Sequence, residues 1–397
     1  MGNTPSKTVL QPEKTAVFKP ESGAVYRIPS LIYLKETNTY LAFAEKRNSK
    51  TDEDAKCLVM SRGTGQSESI QWSEVEELTS ASLPHYRTMN PCPVFERNTR
   101  SLFLFFICVL GNTSECWQIF TGKNKARLCY VTSSDHGQTW SQVEDVTNST
   151  IGDTVSDWAT FAVGPGHGLQ LESGRLIIPT HAQYISRRCC SIPVPLTVKP
   201  YALAVYSDDS GKTWHMGEML QGLSGECEMA EIIDRDGRHH VYCNARTMGG
   251  HRVEALSEAE GTSFDTPRLA HQLVETGKGC QGSVVGFPAP EPEAGSKGGT
   301  TTPSPGSLTW LLYSHPTDKS IRRDVGVYLN RTPQQESGWS LPWVIHSGPS
   351  AYSDMAYNED GKSFACLLES GKDSELEQIA FVSFTLNDVI EHTNKKK

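Results

Sequence analysis

Two octapeptides constrain this chain more than any other feature: SSDHGQTW at 133–140 and SDDSGKTW at 207–214. Both fit S-x-D-x-G-x-T-W. SEAEGTSF at 257–264 is a degraded copy, with Ala259 replacing the Asp and Phe264 the Trp. Weaker relics end at Trp72 in QWS and at Trp339 in GWS. The box is turn chemistry. The Asp135 and Asp209 carboxylates are predicted to bond nearby backbone amides. The Gly at the fifth position permits positive φ. Trp140 and Trp214 are predicted to plug the gap between neighbouring sheets. The boxes are therefore expected to form the fold, not to catalyse. Repeats of this size with several strands each read as propeller blades.

The rest of the chain agrees with an all-β reading. Short β-branched or aromatic runs such as SLFLFFICVL, RLIIPTHAQY, YALAVYS and IAFVSFTL are bounded by Gly, Pro, Asn, Asp or Ser. Helical periodicity is scarce, and the one tail predicted helical is LNDVIEH at 386–392. PAPEPEAGSKGGTTTPSPG at 288–306 cannot pack a core and reads as a disordered loop between blades. The expected organisation is a flexible N-terminus at 1–20, one propeller domain at 21–390 and a basic tail at 391–397.

Composition removes several classes. The net charge of −9 disfavours general nucleic-acid binding. Eleven cysteines with no CxxC pair argue against a disulfide framework or a zinc site, and for a reducing compartment. Twelve histidines show no ligand spacing, so neither a catalytic metal nor a cofactor is expected. The longest apolar run, LFLFFICVL at 102–110, suits a core strand and is too short for a bilayer. No secretory signal is seen, so the sequons at Asn112, Asn148 and Asn330 carry little weight. The opening MGNTPS fits the N-myristoylation pattern with Gly2 as acceptor. One acyl chain holds a membrane weakly and needs a second signal, which Arg187, Arg188, Cys189 or Cys190 in SRRCC could supply. A peripheral or lipid-anchored location at the cell membrane is the expectation, with another cellular membrane or the cytoplasm as alternatives.

Three arginines lie in or beside apolar strands: Arg27 in YRIPS, Arg246 in YCNARTM and Arg322 in SIRRDVGVYLN. A propeller brings distant residues to one central funnel. Three converging guanidiniums are costly without an anion and favourable around a carboxylate. Arg323 is the alternative to Arg322, since alternation lets only one of two neighbours point inward.

The ordered set YRIP, the Asp boxes, NAR, RRD and AYSD resembles the animal sialidases, from about residue 24 to 385. Segments such as HYRTMNPCPVFE, WATFAVGPGHG and CQGSVV look most like a membrane-associated ganglioside sialidase of vertebrates. The resemblance implies a six-bladed propeller and exo-hydrolysis of terminal sialic acid from gangliosides, and from glycoproteins or oligosaccharides. It implies that Arg27, Arg246 and Arg322 grip the sialic acid carboxylate and that Glu369 in CLLES holds Arg27. It implies a nucleophile at Tyr352 with Glu231 in EMAEI as its partner carboxylate, and an acid/base at Asp52 in KTDED. By residue type alone, Glu53 and Asp54 are equal candidates for that acid. Arg47, Glu45, Asn90 and Glu115 would line the pocket. Related sialidases often carry tyrosines after the Ile-Pro strand; here IIPTHAQYIS offers His181, Gln183 and Tyr184 for the glycerol tail or the aglycone, and His181 could add pH sensitivity. A silent sialoside-binding lectin and a trans-sialidase are the alternatives.

Overall fold

The computed structural model describes residues 11–21, 23–65, 70–290, 308–336 and 338–393. Six antiparallel sheets follow one another in chain order, and each runs outward from an innermost strand. The innermost strands are Val25–Leu34, Tyr86–Glu96, Trp158–Val163, Cys227–Ile233, Ser283–Pro288 and Ser350–Asn358. This is a six-bladed propeller, as expected. Each blade lies between two others, so its central strands are buried on both faces. The continuous apolar run Ser101–Leu110 is the second strand of blade 2 and is buried at all but its two ends.

The ring closes with the N-terminal segment. Thr15–Phe18 pairs antiparallel with Gln378–Thr385 as the outermost strand of the last blade. The domain therefore begins within residues expected to be a flexible terminus. Val17 and Phe18 are buried there, which is why the segment orders. The helix expected in the tail spans Leu386–Thr393. Gly2, the tail beyond residue 393 and 291–306 of the predicted loop lie outside the described residues.

The boxes behave as predicted. Asp135 accepts from the Thr139 amide (2.9 Å), the Thr139 hydroxyl (2.6 Å) and the Ser133 hydroxyl (2.7 Å). Asp209 repeats the pattern with Thr213 and Ser207. These bonds bring both carboxyls down to about 2. The box aromatics reach back to the preceding blade: Trp140 to Phe43, Trp214 to Phe105 (centroids 4.6 Å) and, in the relics, Trp72 to Phe381 and Trp339 to Tyr242. Gly211, at φ +84°, shows how tight the seam is: a Cβ there would stand 2.3 Å from the Phe103 ring.

Topology separates the two ends of the molecule. Strands alternate in direction, so the start of each innermost strand and the connection between strands two and three share one end. The boxes connect strands three and four and occupy the other end. Asp135 and Asp209 are thus remote from any site at the first end.

Candidate active site

The predicted arginines meet at the end where the innermost strands begin. Arg27 sits beside a bulge between Arg27 and Ser30, and Tyr352 lies in one between Ser350 and Ser353. Asn90 lies in a third, between Met89 and Cys92. A bulge bends its strand and re-aims side chains. Ile28 (φ +60°) and Asn90 (φ +59°) adopt left-handed backbone, strained for a β-branched residue above all.

Buried carboxylates hold these bulges. Glu369, fully buried, accepts from Arg27 Nε (3.0 Å) and Nη2 (3.2 Å), from the Ile28 amide (2.9 Å) and from the Tyr352 amide (3.3 Å). It therefore fixes the first arginine and the tyrosine together. Glu45 takes Arg47 Nε at 2.7 Å and, across the blade boundary, the Asn90 amide at 2.7 Å. Burial pushes the Glu45 carboxyl up more than Arg47 pulls it down. Arg47 in turn reaches the exposed Asp52 at 2.6 Å, on the Asp52–Asp54 turn. Of the three neighbouring acids, Asp52 is the one turned to Arg47; Asp54 binds Ser49 instead (2.5 Å).

Tyr352 is enclosed by cations. The Arg322 and Arg27 guanidiniums stand 5.2 and 5.5 Å from its ring centroid. Arg246 Nη1 is 3.3 Å from its hydroxyl. Arg322 donates twice to the Gly279 carbonyl, at 2.9 and 3.2 Å, while Arg323 turns away to Asp324. Alternation had left these two arginines open; the structure selects Arg322. Burial alone would lower each of the three guanidiniums, but Glu369 beside Arg27, Glu226 beside Arg246, and Cys280 and Tyr352 beside Arg322 outweigh it and all three are raised. They are fixed positive charges.

The partner of Tyr352 is not Glu231. The tyrosine hydroxyl donates to Glu226 Oε1 at 2.5 Å, and Glu226 also takes Arg246 Nη1 at 2.7 Å. Glu231 instead binds His239 Nδ1 (2.8 Å) and the Glu172 amide (2.9 Å), beside a separate cavity that also includes Tyr33 and Glu359. The reason is strand geometry. Five residues separate the two acids along an extended strand, about 17 Å. Glu226 precedes Cys227–Ile233 at the funnel end, and Glu231 lies towards the opposite end. A signal was available: Arg27 and Tyr352 both fall near the start of their strands. Burial tends to raise the Glu226 carboxyl, yet Arg246, His181 and the Tyr352 bond together lower it. Burial, then Glu226, push the Tyr352 hydroxyl well above its usual value.

Beside this cluster the funnel opens into a cavity of about 710 Å³. Asp52, Glu226 and Arg246 reach it, and Asn90, Glu115, His181 and Gln183 wall it. Glu115 starts the helix Glu115–Thr121 and accepts from Gln183 at 3.2 Å; desolvation raises its carboxyl. His181 is lowered by burial, towards the neutral form. Tyr184 is not part of this wall. It sits on the opposite pleat face from His181 and Gln183 and packs on the core and on Tyr201.

The sequence matches the family described as BNR repeat-like domain over residues 38–365. It is 47% identical to Sialidase-3 of Bos taurus (93% of this chain, 91% of the relative). It is 42% identical to Sialidase-4 of Mus musculus (96% and 94%) and 44% identical to Sialidase-2 of Cricetulus griseus (94% and 95%). Among solved structures it is similar in fold to a Hadza microbial sialidase, with TM-score 0.73 and 21% identity over 92% of this chain and 66% of the other. The Trypanosoma rangeli sialidase bound to the inhibitor DANA is similar too, at TM-score 0.68 and 15% identity over 96% and 60%. With its family motif, its near-full-length relatives and its propeller in agreement, the chain belongs to the animal sialidase family.

Proposed function

We propose that the protein removes terminal sialic acid from gangliosides, and from other sialylated glycans, with Tyr352 as nucleophile and retention of configuration. The observation that carries this is the 2.5 Å contact between Tyr352 and Glu226 inside three arginines.

The sialic acid carboxylate docks on Arg27, Arg246 and Arg322, whose charges need no reorganisation when it arrives. The anomeric carbon beside it then faces Tyr352. A carboxylate nucleophile would approach a like charge; a neutral phenol avoids that, and sialidases with Tyr are a known exception among glycosidases. A phenol this weakly acidic needs help. Glu226, held ionised by Arg246, takes the Tyr352 proton as the Tyr–carbon bond forms. Asp52 gives a proton to the leaving oxygen. In the second half Asp52 deprotonates the attacking water, the Tyr–carbon bond breaks and Glu226 returns the proton to Tyr352. Two inversions give net retention.

A gangliosidic substrate is supported by the Gly2 acylation pattern and by the close resemblance of HYRTMNPCPVFE and its neighbours to a membrane-associated sialidase. On the same basis the protein is a peripheral membrane enzyme. The test is release of sialic acid from a fluorogenic sialoside and from ganglioside vesicles, with wild type, Tyr352→Phe and Asp52→Ala. Turnover retained in Tyr352→Phe would end the nucleophile assignment. Wild-type binding without release would make the protein a sialoside-binding propeller instead.

A further inference from the structure

Apolar side chains crowd the mouth of the funnel. Ten large apolar residues stand exposed among the described residues. Only Val75, Leu269 and Leu341 lie away from the connections at the funnel end. Phe120 (76% exposed) and Trp117 lie on the helix Glu115–Thr121, and Ile192 and Leu196 (90%) lie on the adjoining 188–197 segment. The two elements touch, because Gly122 abuts Pro193 and Arg188 so closely that a Cβ would overlap both. Leu223 and Met248 (75%) continue the rim and, with Leu196, wall the cavity that holds Asp52 and Glu226. Ile321 stands beside Arg322.

Cations accompany them. Lys123, Arg187, Arg188, Lys199, Lys278 and Lys319 are all exposed on these same segments. They belong together in space: Arg246 donates to the Lys278 carbonyl, and Gly277 packs on Ser320. Acids on these segments are turned to other work. Glu115 faces Gln183, and Asp318 accepts the Ser320 and Ile321 amides. In a chain of net charge −9, exposed cations thus outnumber acids on these segments, while the exposed acids Asp153, Asp157, Asp373 and Glu377 at the same end lie on neighbouring connections. Exposed apolar groups rimmed by Lys and Arg are the chemistry of an anionic lipid surface.

We propose that the funnel mouth is a docking surface for an anionic lipid bilayer, which seats the active site face-down on the membrane that carries its substrate. The apolar side chains enter the headgroup and acyl boundary, and the cations meet the lipid phosphates. A glycolipid headgroup then enters the funnel without leaving its bilayer. Only this last step rests on the ganglioside reading; docking needs no sialolipid.

The test is co-sedimentation of the full chain, carrying Gly2→Ala and produced without acylation, with vesicles free of sialolipid. One set is phosphatidylcholine; the other contains phosphatidylserine as well. Binding is expected to the second set and to fall with added salt. Phe120→Ser with Ile192→Ser is expected to weaken it about tenfold or more. Lys123→Gln with Arg187→Gln is expected to weaken the preference for phosphatidylserine, and an unchanged preference counts against the proposal. Hydrolysis of a soluble sialoside by either variant stays at the wild-type level, which shows that the fold survives. No binding by wild type, or equal binding by the Phe120/Ile192 variant, overturns the proposal. Self-association through Phe120 and Ile192 without vesicle binding overturns it in favour of a second copy. Loss of ganglioside hydrolysis with vesicle binding intact would count against the substrate reading alone.

Discussion

Glu226→Gln tests the central correction, because it changes one atom and keeps the shape. In the wild type Glu226 Oε1 accepts the Tyr352 hydroxyl at 2.5 Å, and Oε2 takes Arg246 at 2.7 Å. The amide still fills the space, but it cannot take a proton. General-base assistance is worth about 10²–10⁴ in rate. At about 1.4 kcal/mol per decade that is about 3–5 kcal/mol of barrier. The arginine loses its buried counter-charge at the same time, so its attraction for the substrate carboxylate rises. The expected signature is a fall in kcat of at least a hundredfold with KM unchanged or lower. Glu231→Gln, which disturbs only the His239 and Glu172 contacts, is expected to keep kcat within about twofold, since surface polar changes away from a site cost little. The assay is steady-state hydrolysis of a fluorogenic sialoside, with thermal melts to confirm both folds. If Glu231→Gln falls a hundredfold and Glu226→Gln does not, the assignment made from the geometry is wrong.

Other outcomes follow from the same contacts. Glu369→Ala strands the part-buried Arg27 and frees two bulges, one of them strained at Ile28, so it is expected to lose about 3–5 kcal/mol of stability as well as turnover; urea melts read the first and kinetics the second. Gly211→Ala should lower the melting temperature strongly, since both its φ of +84° and the Phe103 ring oppose a Cβ; an unchanged melt would refute the seam described here. Asp135 and Asp209 have folded values depressed from 3.8 to about 2, so their contribution is present above the unfolded value and is lost as pH falls towards 2. In acid melts, Asp209→Asn should flatten that loss. Gly2→Ala in cells should reduce membrane recovery without removing it, because the funnel mouth supplies a second attachment.

Local chemistry was legible in the sequence. The box turn is closed by residues within eight positions of one another, so its bonds, its glycine and even the aromatic plugs at Trp72 and Trp339 could be read from spacing. The arginines could also be read, because an unshielded guanidinium in an apolar strand demands an anion wherever the chain goes. Glu369 and Asp52 were legible only through family resemblance. Their partners, Arg27 and Arg47, lie 342 and 5 residues away, and nothing in CLLES or KTDED marks those acids from their neighbours.

Three matters waited for the tertiary structure. GECEMAEI offers Glu226, Glu228 and Glu231 with the same chemistry, and only the end of the strand that faces the funnel separates them. Thr15–Phe18 looks like a terminus until Gln378–Thr385 offers it an edge, a partner more than 350 residues distant. Trp117, Phe120, Leu196 and Met248 read as ordinary apolar residues until the six sheets close and leave them together at one open end. The sequence alone determined which groups must be answered by turns, charges or burial, because those demands are local. Which group answers each was decided by the ring, because ring closure is what makes distant residues neighbours.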